Sequence, residues 1–275
     1  MMRVDSHQHF WRLMRGDYSW LTPRLTPLFR DFQPADLGPI LNDHDIDATV
    51  LVQAAASIAE TDYLLELASD AAFVLGVVGW VDLESPQAAA DIERLSANPR
   101  LRGLRPMIQD IPDTQWMLRP GLRPAFAAMQ RHGLRFDALL KPPHLAPFRK
   151  FLALYPDLPI VIDHGAKPVI ARGRYDDWAI AMREIAKDQR VYCKLSGLVT
   201  EAKRNWHQRD LKPYVDLLIE AFGPERLMWG SDWPVVELAG GYDRWIEVAQ
   251  NYLARLNEGE QNAILGGTAT KFYGL

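Results

Sequence analysis

Eight short apolar runs alternate with seven amphipathic segments along this chain, and this alternation is the feature that most restricts its fold. The apolar runs, which we predict as strands, cover residues 3–10, 47–54, 73–83, 101–108, 134–141, 159–165, 190–197 and 226–234. The segments between them carry apolar residues at helical spacing and cover residues 34–44, 60–71, 85–98, 120–133, 144–157, 175–188 and 212–223. Apolar strands separated by helices are typical of a parallel sheet that is buried on both faces.

Eight such units in 275 residues predict a (β/α)8 TIM barrel in the α/β class. A doubly wound sheet fits less well, because no glycine-rich dinucleotide turn follows the first strand. No linker, repeat or low-complexity tract interrupts the pattern, so we expect one domain over residues 1–275. The tail from residue 242 to residue 273 is predicted to form one or two closing helices.

Charge and composition argue against several classes of partner. The formal net charge is -4, and no lysine- or arginine-rich run provides a surface for nucleic acid. No apolar run reaches the roughly 18 residues that a membrane span needs, and the N-terminus lacks the apolar core of a signal peptide. Cys193 is the sole cysteine, so no internal disulfide can form. We therefore expect a cytoplasmic protein without nucleic-acid or membrane partners.

Four side chains that can bind metals or transfer protons lie at the predicted C-terminal ends of three strands. His7 and His9 end the first strand, and strand periodicity places both on one face. His164 lies at the end of the sixth strand and Asp232 at the end of the eighth. Active sites of barrels of this type lie at the C-terminal strand ends, so we expect these four residues to form the catalytic centre.

Other residues at this end of the barrel are candidates for contacting a substrate. Arg105 and Lys141 follow the fourth and fifth strands, where a salt bridge is the alternative role, and Gln53 ends the second strand. Polyhydroxylated rings often pack on aromatic faces, which makes further residues candidates: Trp20, Trp80, Trp206, His207 and Glu201. Core packing is the alternative for Trp80, and a solvated loop charge for Glu201.

Several motifs occur in a fixed order: HQH at residues 7–9, DHGAKP at 163–168, WGSDWP at 229–234 and ILGGTATKFYG at 264–274, with the tryptophan-containing loop FWRLMRGDYSWL at 10–21. In this order they resemble the amidohydrolase superfamily, and specifically its branch of sugar-lactone hydrolases. The resemblance implies a lactonase that opens an aldonolactone, with L-fuconolactone as the first candidate. It also implies that His7, His9, His164 and Asp232 are the core residues.

The sequence departs from the metal-rich members of that superfamily. Those members have a bridging lysine or glutamate at the fourth strand and histidines at the fifth and sixth, whereas here Arg105 and Lys141 end the fourth and fifth strands. His7, His9, His164 and Asp232 could still hold one zinc ion. We nevertheless expect no metal to be required, because Arg105 and Lys141 supply positive charge where a Lewis acid would act.

A mechanism follows from these residue types. Asp232 is the expected base for water, and the enclosing site is expected to raise its pKa. Arg105 is expected to bind the developing oxyanion because its guanidinium is a fixed fork of donors. Two alternatives stay open: a zinc-dependent decarboxylase of a small carboxylic acid, and a barrel that binds a sugar acid without turnover. The sequence leaves open the stereochemistry and ring size of the lactone, and whether the chain forms a homo-oligomer.

Overall fold

Eight parallel strands form one sheet in which neighbours along the chain are also neighbours in space. The computed structural model describes residues 1–275, and the strands are β1 Val4–Gln8, β2 Ala48–Val52, β3 Val74–Gly79, β4 Leu101–Leu104, β5 Arg135–Ala138, β6 Ile160–Ile162, β7 Val191–Leu195 and β8 Leu227–Trp229. Each lies inside its predicted run. Near the C-terminal ends of β8 and β1, Asp232 N donates to His7 O at 2.8 Å and His9 N donates to Trp233 O at 2.7 Å. These bonds join the last strand to the first, and the predicted (β/α)8 barrel is confirmed.

Ten α-helices accompany the sheet: α1 Pro34–Asp43, α2 Ile58–Asp70, α3 Ala88–Ser96, α4 Arg123–Arg131, α5 Leu145–Leu154, α6 Asp176–Ala186, α7 Gln208–Phe222, α8 Gly241–Leu253, α9 Glu258–Asn262 and α10 Thr268–Tyr273. Closing helices follow β8 as predicted, but there are three of them, α8, α9 and α10, and not one or two. A π-helical turn, Ala263–Gly267, separates the last two. None of the helices combines the length and apolar character needed to cross a membrane.

The core lies between the strands and the surrounding helices. Phe136 of β5 packs edge-on against Phe126 of α4, with 5.4 Å between ring centroids, and Phe151 of α5 lies 5.2 Å from Phe136. All three side chains are fully buried. Burying each contributes roughly 1.5–3 kcal/mol to folding. This outer layer holds the strands rigidly, so that residues beyond their C-terminal ends are presented in fixed positions.

Candidate active site

A cavity of about 490 Å³ opens at the C-terminal end of the barrel. This volume lies within the usual range for small-molecule sites. Sixteen residues line it: His9, Asp17, Ser19, Trp20, Ala54, Ala55, Ala56, Arg105, Met107, Gln109, Asp110, Leu139, His164, Lys167, Asp232 and Val235. Five of the predicted site residues are therefore in its wall: His9, Trp20, Arg105, His164 and Asp232.

Asp232 is the centre around which the three histidines are arranged. Its Oδ1 lies 3.2 Å from His9 Nε2, and 3.8 Å from both His7 Nε2 and His164 Nε2. All four side chains are almost completely buried. The structure therefore brings together the four residues predicted at the ends of the first, sixth and eighth strands.

The pKa of Asp232 moves in the direction opposite to the one predicted. Burial by itself raises this pKa, but the adjacent His164 and the His9 hydrogen bond outweigh it and hold the pKa below its ordinary value. The expectation of a raised pKa was wrong because it counted enclosure without the imidazoles. Asp232 is therefore ionised at neutral pH and is able to accept a proton.

Backbone and side-chain oxygens fix the orientation of two of these histidines. His9 Nδ1 donates to Val52 O, 2.7 Å away, which leaves Nε2 facing Asp232. His164 Nδ1 lies 2.8 Å from Ser196 Oγ. Gly197 permits this approach, because a Cβ on it would lie 2.4 Å from His164 Nδ1. Both rings are thus held with Nε2 on the side of Asp232.

His7 rests on a buried charged cluster in the barrel interior. Lys194 of β7 donates to Asp137 of β5 at 2.6 Å and lies 3.1 Å from Asp163, just after β6. Its Nζ is also 3.2 Å from His7 Nδ1. The Tyr273 hydroxyl of α10 donates to the same Asp137 oxygen, Oδ2, at 2.7 Å. All of these side chains are buried, so each charge depends on its partner.

Burial and this cluster determine the charge of the groups in it. Burial lowers the pKa of His7 far below its usual value, and the positive charge of Lys194 lowers it further, so His7 stays neutral. Burial raises the pKa of Asp137. Burial also tends to raise the pKa of Asp163. The charges of Lys194 and His164 have the larger effect and hold that pKa below its ordinary value.

Lys194, Asp137 and Asp163 belong to this site but were not predicted from the sequence. A signal was present, because a lysine inside the otherwise apolar run VYCKLSG must find a buried counter-charge. Asp163 immediately precedes His164 in DHGAKP and was available as that counter-charge.

Arg105 lines the cavity, but its guanidinium already contacts other protein groups. Nη2 donates to Gln53 O. Nη1 lies 3.4 Å from His7 Nε2 and 3.7 Å from Asp163 Oδ2. Gln53 in turn donates to Arg105 O at 2.6 Å and is not part of the cavity wall. Gln53, predicted as a substrate contact, thus lies behind the cavity wall and holds Arg105 in place.

Trp20 is the predicted aromatic residue that the cavity contains. It is 36% exposed and lines the cavity, and its Nε1 donates to Ala54 O at 2.8 Å. Trp11 packs edge-on against it, with 5.4 Å between centroids. The ring is thus fixed in place while part of it stays accessible.

Three other predicted substrate contacts lie outside the cavity wall. Trp206 is buried, donates from Nε1 to Ala239 O at 2.8 Å and is covered by the Arg244 guanidinium, so it is a packing residue. His207 is exposed and precedes α7 as its N-cap residue. Trp80 is half-buried, and its backbone N–H and C=O both bond to the Thr61 hydroxyl. The sequence does not show which face of a loop a side chain such as Trp206 will occupy, so its position could not be predicted.

Two charged candidates lie at the rim. Lys141 is 46% exposed on its side chain and donates to Gln109 O at 2.9 Å. Glu201 forms a 3.8 Å ion pair with Lys167, which the sequence analysis did not single out although it is part of DHGAKP. Lys167 is in the cavity wall, whereas Lys141 and Glu201 are not.

Three side chains have the donor atoms and spacing of a metal site. The ligand atoms of His7, His9 and Asp232 lie within 4.8 Å of one another. Because His9 Nδ1 donates to a carbonyl, a neutral His9 presents a lone pair to the Asp232 carboxylate, and a proton or a cation must lie between them. Two imidazoles and a carboxylate suit zinc, with His164 as a fourth ligand. The donor set therefore fits one zinc ion.

Comparisons with known proteins identify the family of this chain. The chain is 46% identical over 275 residues to L-fucono-1,5-lactonase of Burkholderia ambifaria, covering 98% of this chain and 95% of the relative. It is 38% identical over 288 residues to L-fucono-1,5-lactonase of Burkholderia multivorans, covering 100% of this chain and 96% of the relative. A crystal structure of a Burkholderia multivorans amidohydrolase with bound zinc has a TM-score of 0.94 at 38% identity, with full coverage of both chains. The amidohydrolase family model matches residues 4–275, and this chain belongs to that family.

Proposed function

We propose that this protein is a lactonase that hydrolyses a sugar lactone, with L-fucono-1,5-lactone as the first substrate to test. The observation that carries the proposal is an ionised Asp232 among three oriented histidines in the wall of a small-molecule cavity. The two full-length relatives bear the name of this activity. They favour ring opening over the alternative of decarboxylation.

Asp232 acts as the base in the proposed reaction. It takes a proton from water as the water oxygen bonds to the lactone carbonyl carbon, and the carbonyl π pair moves onto the carbonyl oxygen. When that intermediate collapses, the bond from the carbonyl carbon to the ring oxygen breaks. The ring oxygen leaves with the proton that Asp232 received, and the product is the open-chain hydroxy acid.

The histidines orient the base and the water. His9 and His164 face Asp232 with Nε2 because their Nδ1 atoms are bonded to Val52 O and Ser196 Oγ. This arrangement holds the carboxylate in one rotamer without competing for the proton from water. Positive charge from the Arg105 guanidinium stabilises the anionic cluster behind His7.

A zinc ion has a place in the proposed site. His7, His9 and Asp232 would hold it, with His164 nearby, and when bound it would polarise a carbonyl or a water molecule. We propose that turnover does not depend on it. Two arguments support this: the Arg105 guanidinium lies against His7 Nε2 and competes with a cation there, and a proton is sufficient to bridge His9 and Asp232.

The rest of the cavity suits a polyhydroxylated ring. Trp20 offers an aromatic face, while Asp17, Ser19, Gln109 and Asp110 offer hydrogen-bonding groups. The proposal is tested by incubating the protein with aldonolactones of both enantiomeric series and following the ring-opened acid by 13C NMR. Enzyme-dependent opening of one stereochemical group supports it, and uniform background rates contradict it.

A further inference from the structure

The loop after β6 contains a left-handed turn of four consecutive residues. The φ angles are 54° at His164, 56° at Gly165, 60° at Ala166 and 48° at Lys167. Three of these residues are not glycine, and each L-residue in this conformation costs roughly 1–2 kcal/mol. Strain of this kind persists where the surrounding structure holds it, and it concentrates at functional sites.

The turn brings its first and last residues to the same side. Lys167 N donates to His164 O at 2.9 Å, which closes a turn of the 3-10 type. Residues i and i+3 eclipse each other in such a turn. Both His164 and Lys167 are in the cavity wall, whereas Gly165 and Ala166 between them are not. Trp178 anchors the middle of the turn by donating to Gly165 O at 2.8 Å.

Lys167 differs from Arg105 and Lys141 in that its charged group makes no hydrogen bond within the protein. Arg105 donates to Gln53 O and faces His7 and Asp163. Lys141 donates to Gln109 O. The Lys167 ammonium makes no hydrogen bond within the protein, and its 3.8 Å separation from Glu201 is an ion pair only. Its side chain is 20% exposed and lines the cavity.

We propose that Lys167 is a catalytic residue that binds the lactone carbonyl oxygen and stabilises the negative charge it acquires when water adds. This inference rests on the proposed lactonase function and moves to Lys167 the role that the sequence suggested for Arg105. The carbonyl π pair that moves onto oxygen is placed beside an ammonium group with three available donors. Preorganised positive charge of this kind acts on the transition state more than on the bound substrate.

The test compares Lys167→Met, Lys167→Arg and the control Lys203→Met on the lactone that the wild type opens fastest. Lys203 is an exposed cation in the loop after β7, outside the cavity wall. We expect Lys167→Met to lower kcat about 100-fold or more with a much smaller change in KM, and Lys167→Arg to recover part of the loss. Lys203→Met should match the wild type. Wild-type kcat in a folded Lys167→Met protein would overturn the inference. If Lys167→Met does not fold, kcat of Lys167→Gln is measured instead and interpreted in the same way.

Failure of the proposed function gives a different result. In that case the wild type and Lys203→Met open none of the lactones. Calorimetric titration with L-fuconate, the product anion, then tests Lys167 by itself: binding to the wild type that is lost in Lys167→Met supports a contact with a substrate oxygen. Equal binding by the two proteins, or binding by neither, contradicts the inference.

Discussion

His9 Nε2 lies 3.2 Å from Asp232 Oδ1, while Nδ1 of the same ring contacts Val52 O at 2.7 Å. A carbonyl oxygen only accepts hydrogen bonds, so Nδ1 carries a proton. Between Nε2 and the carboxylate there is then room for one proton or one cation. This pair links the end of β1 to the end of β8, and in the proposed mechanism it lies where water is activated.

Removing any bound metal tests whether a proton or a metal ion lies between His9 Nε2 and the Asp232 carboxylate. Because Arg105 and Lys167 already provide positive charge, we expect protein stripped with a chelator, with its metal content determined by mass spectrometry, to open the lactone at close to the untreated rate. Added zinc should still bind, and His9→Gln should weaken that binding in a calorimetric titration. Activity that disappears on stripping and returns with zinc would show that the ion is required.

Trp20 should affect substrate binding more than the chemical step. Replacement by alanine removes the aromatic face in the cavity wall, and we expect KM to rise about tenfold, equivalent to about 1.4 kcal/mol, with little change in kcat. Trp20→Phe should retain most of the affinity. The matched control is Trp80→Phe, which alters a tryptophan outside the cavity wall and should leave KM unchanged. An unchanged KM in Trp20→Ala would remove this residue from the binding site.

Lys194→Met should destabilise the fold. It leaves the Asp137 and Asp163 carboxylates without their shared cation in the barrel interior, and breaking such a buried pair typically costs 3–5 kcal/mol. Urea unfolding measures this loss. The double variant Lys194→Met/Asp137→Asn should lose less than the sum of the two single variants, because it neutralises one of the stranded carboxylates. A loss below about 1 kcal/mol for Lys194→Met would contradict the buried cluster.

Glu60 should make stability depend on pH. It accepts hydrogen bonds from Ala54 N and Ala55 N, and burial raises its pKa from 4.5 to about 7. Because the folded-state pKa is raised, its contribution is fully present below the unfolded value near 4.5 and is lost as the pH rises through about 7. The difference in unfolding free energy between wild type and Glu60→Gln should therefore fall by up to about 3 kcal/mol across this interval.

Urea unfolding at a series of pH values provides this comparison. Using the difference between two proteins cancels the titration of the buried histidines, which is common to both. A difference that does not vary with pH would show that Glu60 is ionised in the folded protein at acidic pH.

The fold was predictable because its main determinant is local. Each apolar run is long enough for one buried strand and each intervening segment for one helix, so the alternation specified the barrel. Strand periodicity also predicted that His7 and His9 share a face, and the position rule for barrels brought in His164 and Asp232.

The remainder of the site depends on geometry that periodicity does not encode. The direction of Lys167 follows from a run of positive φ angles, which no residue type in DHGAKP other than glycine favours. Trp206 and Trp20 both occur in loops at the same end of the barrel, but Trp206 packs inward beneath Arg244 while Trp20 lines the cavity. The direction of the Asp232 pKa required the distances to its three imidazoles.

Asp232 as the base is tested by comparing acid release by Asp232→Asn with acid release by the wild type, both as metal-free protein. The substitution removes the base with little change in volume, so unfolding should be unaffected. We expect the wild type to open one stereochemical group of aldonolactones and the variant to lose at least about 100-fold in kcat. A folded Asp232→Asn protein with a rate near that of the wild type would contradict Asp232 as the base and the mechanism built around it.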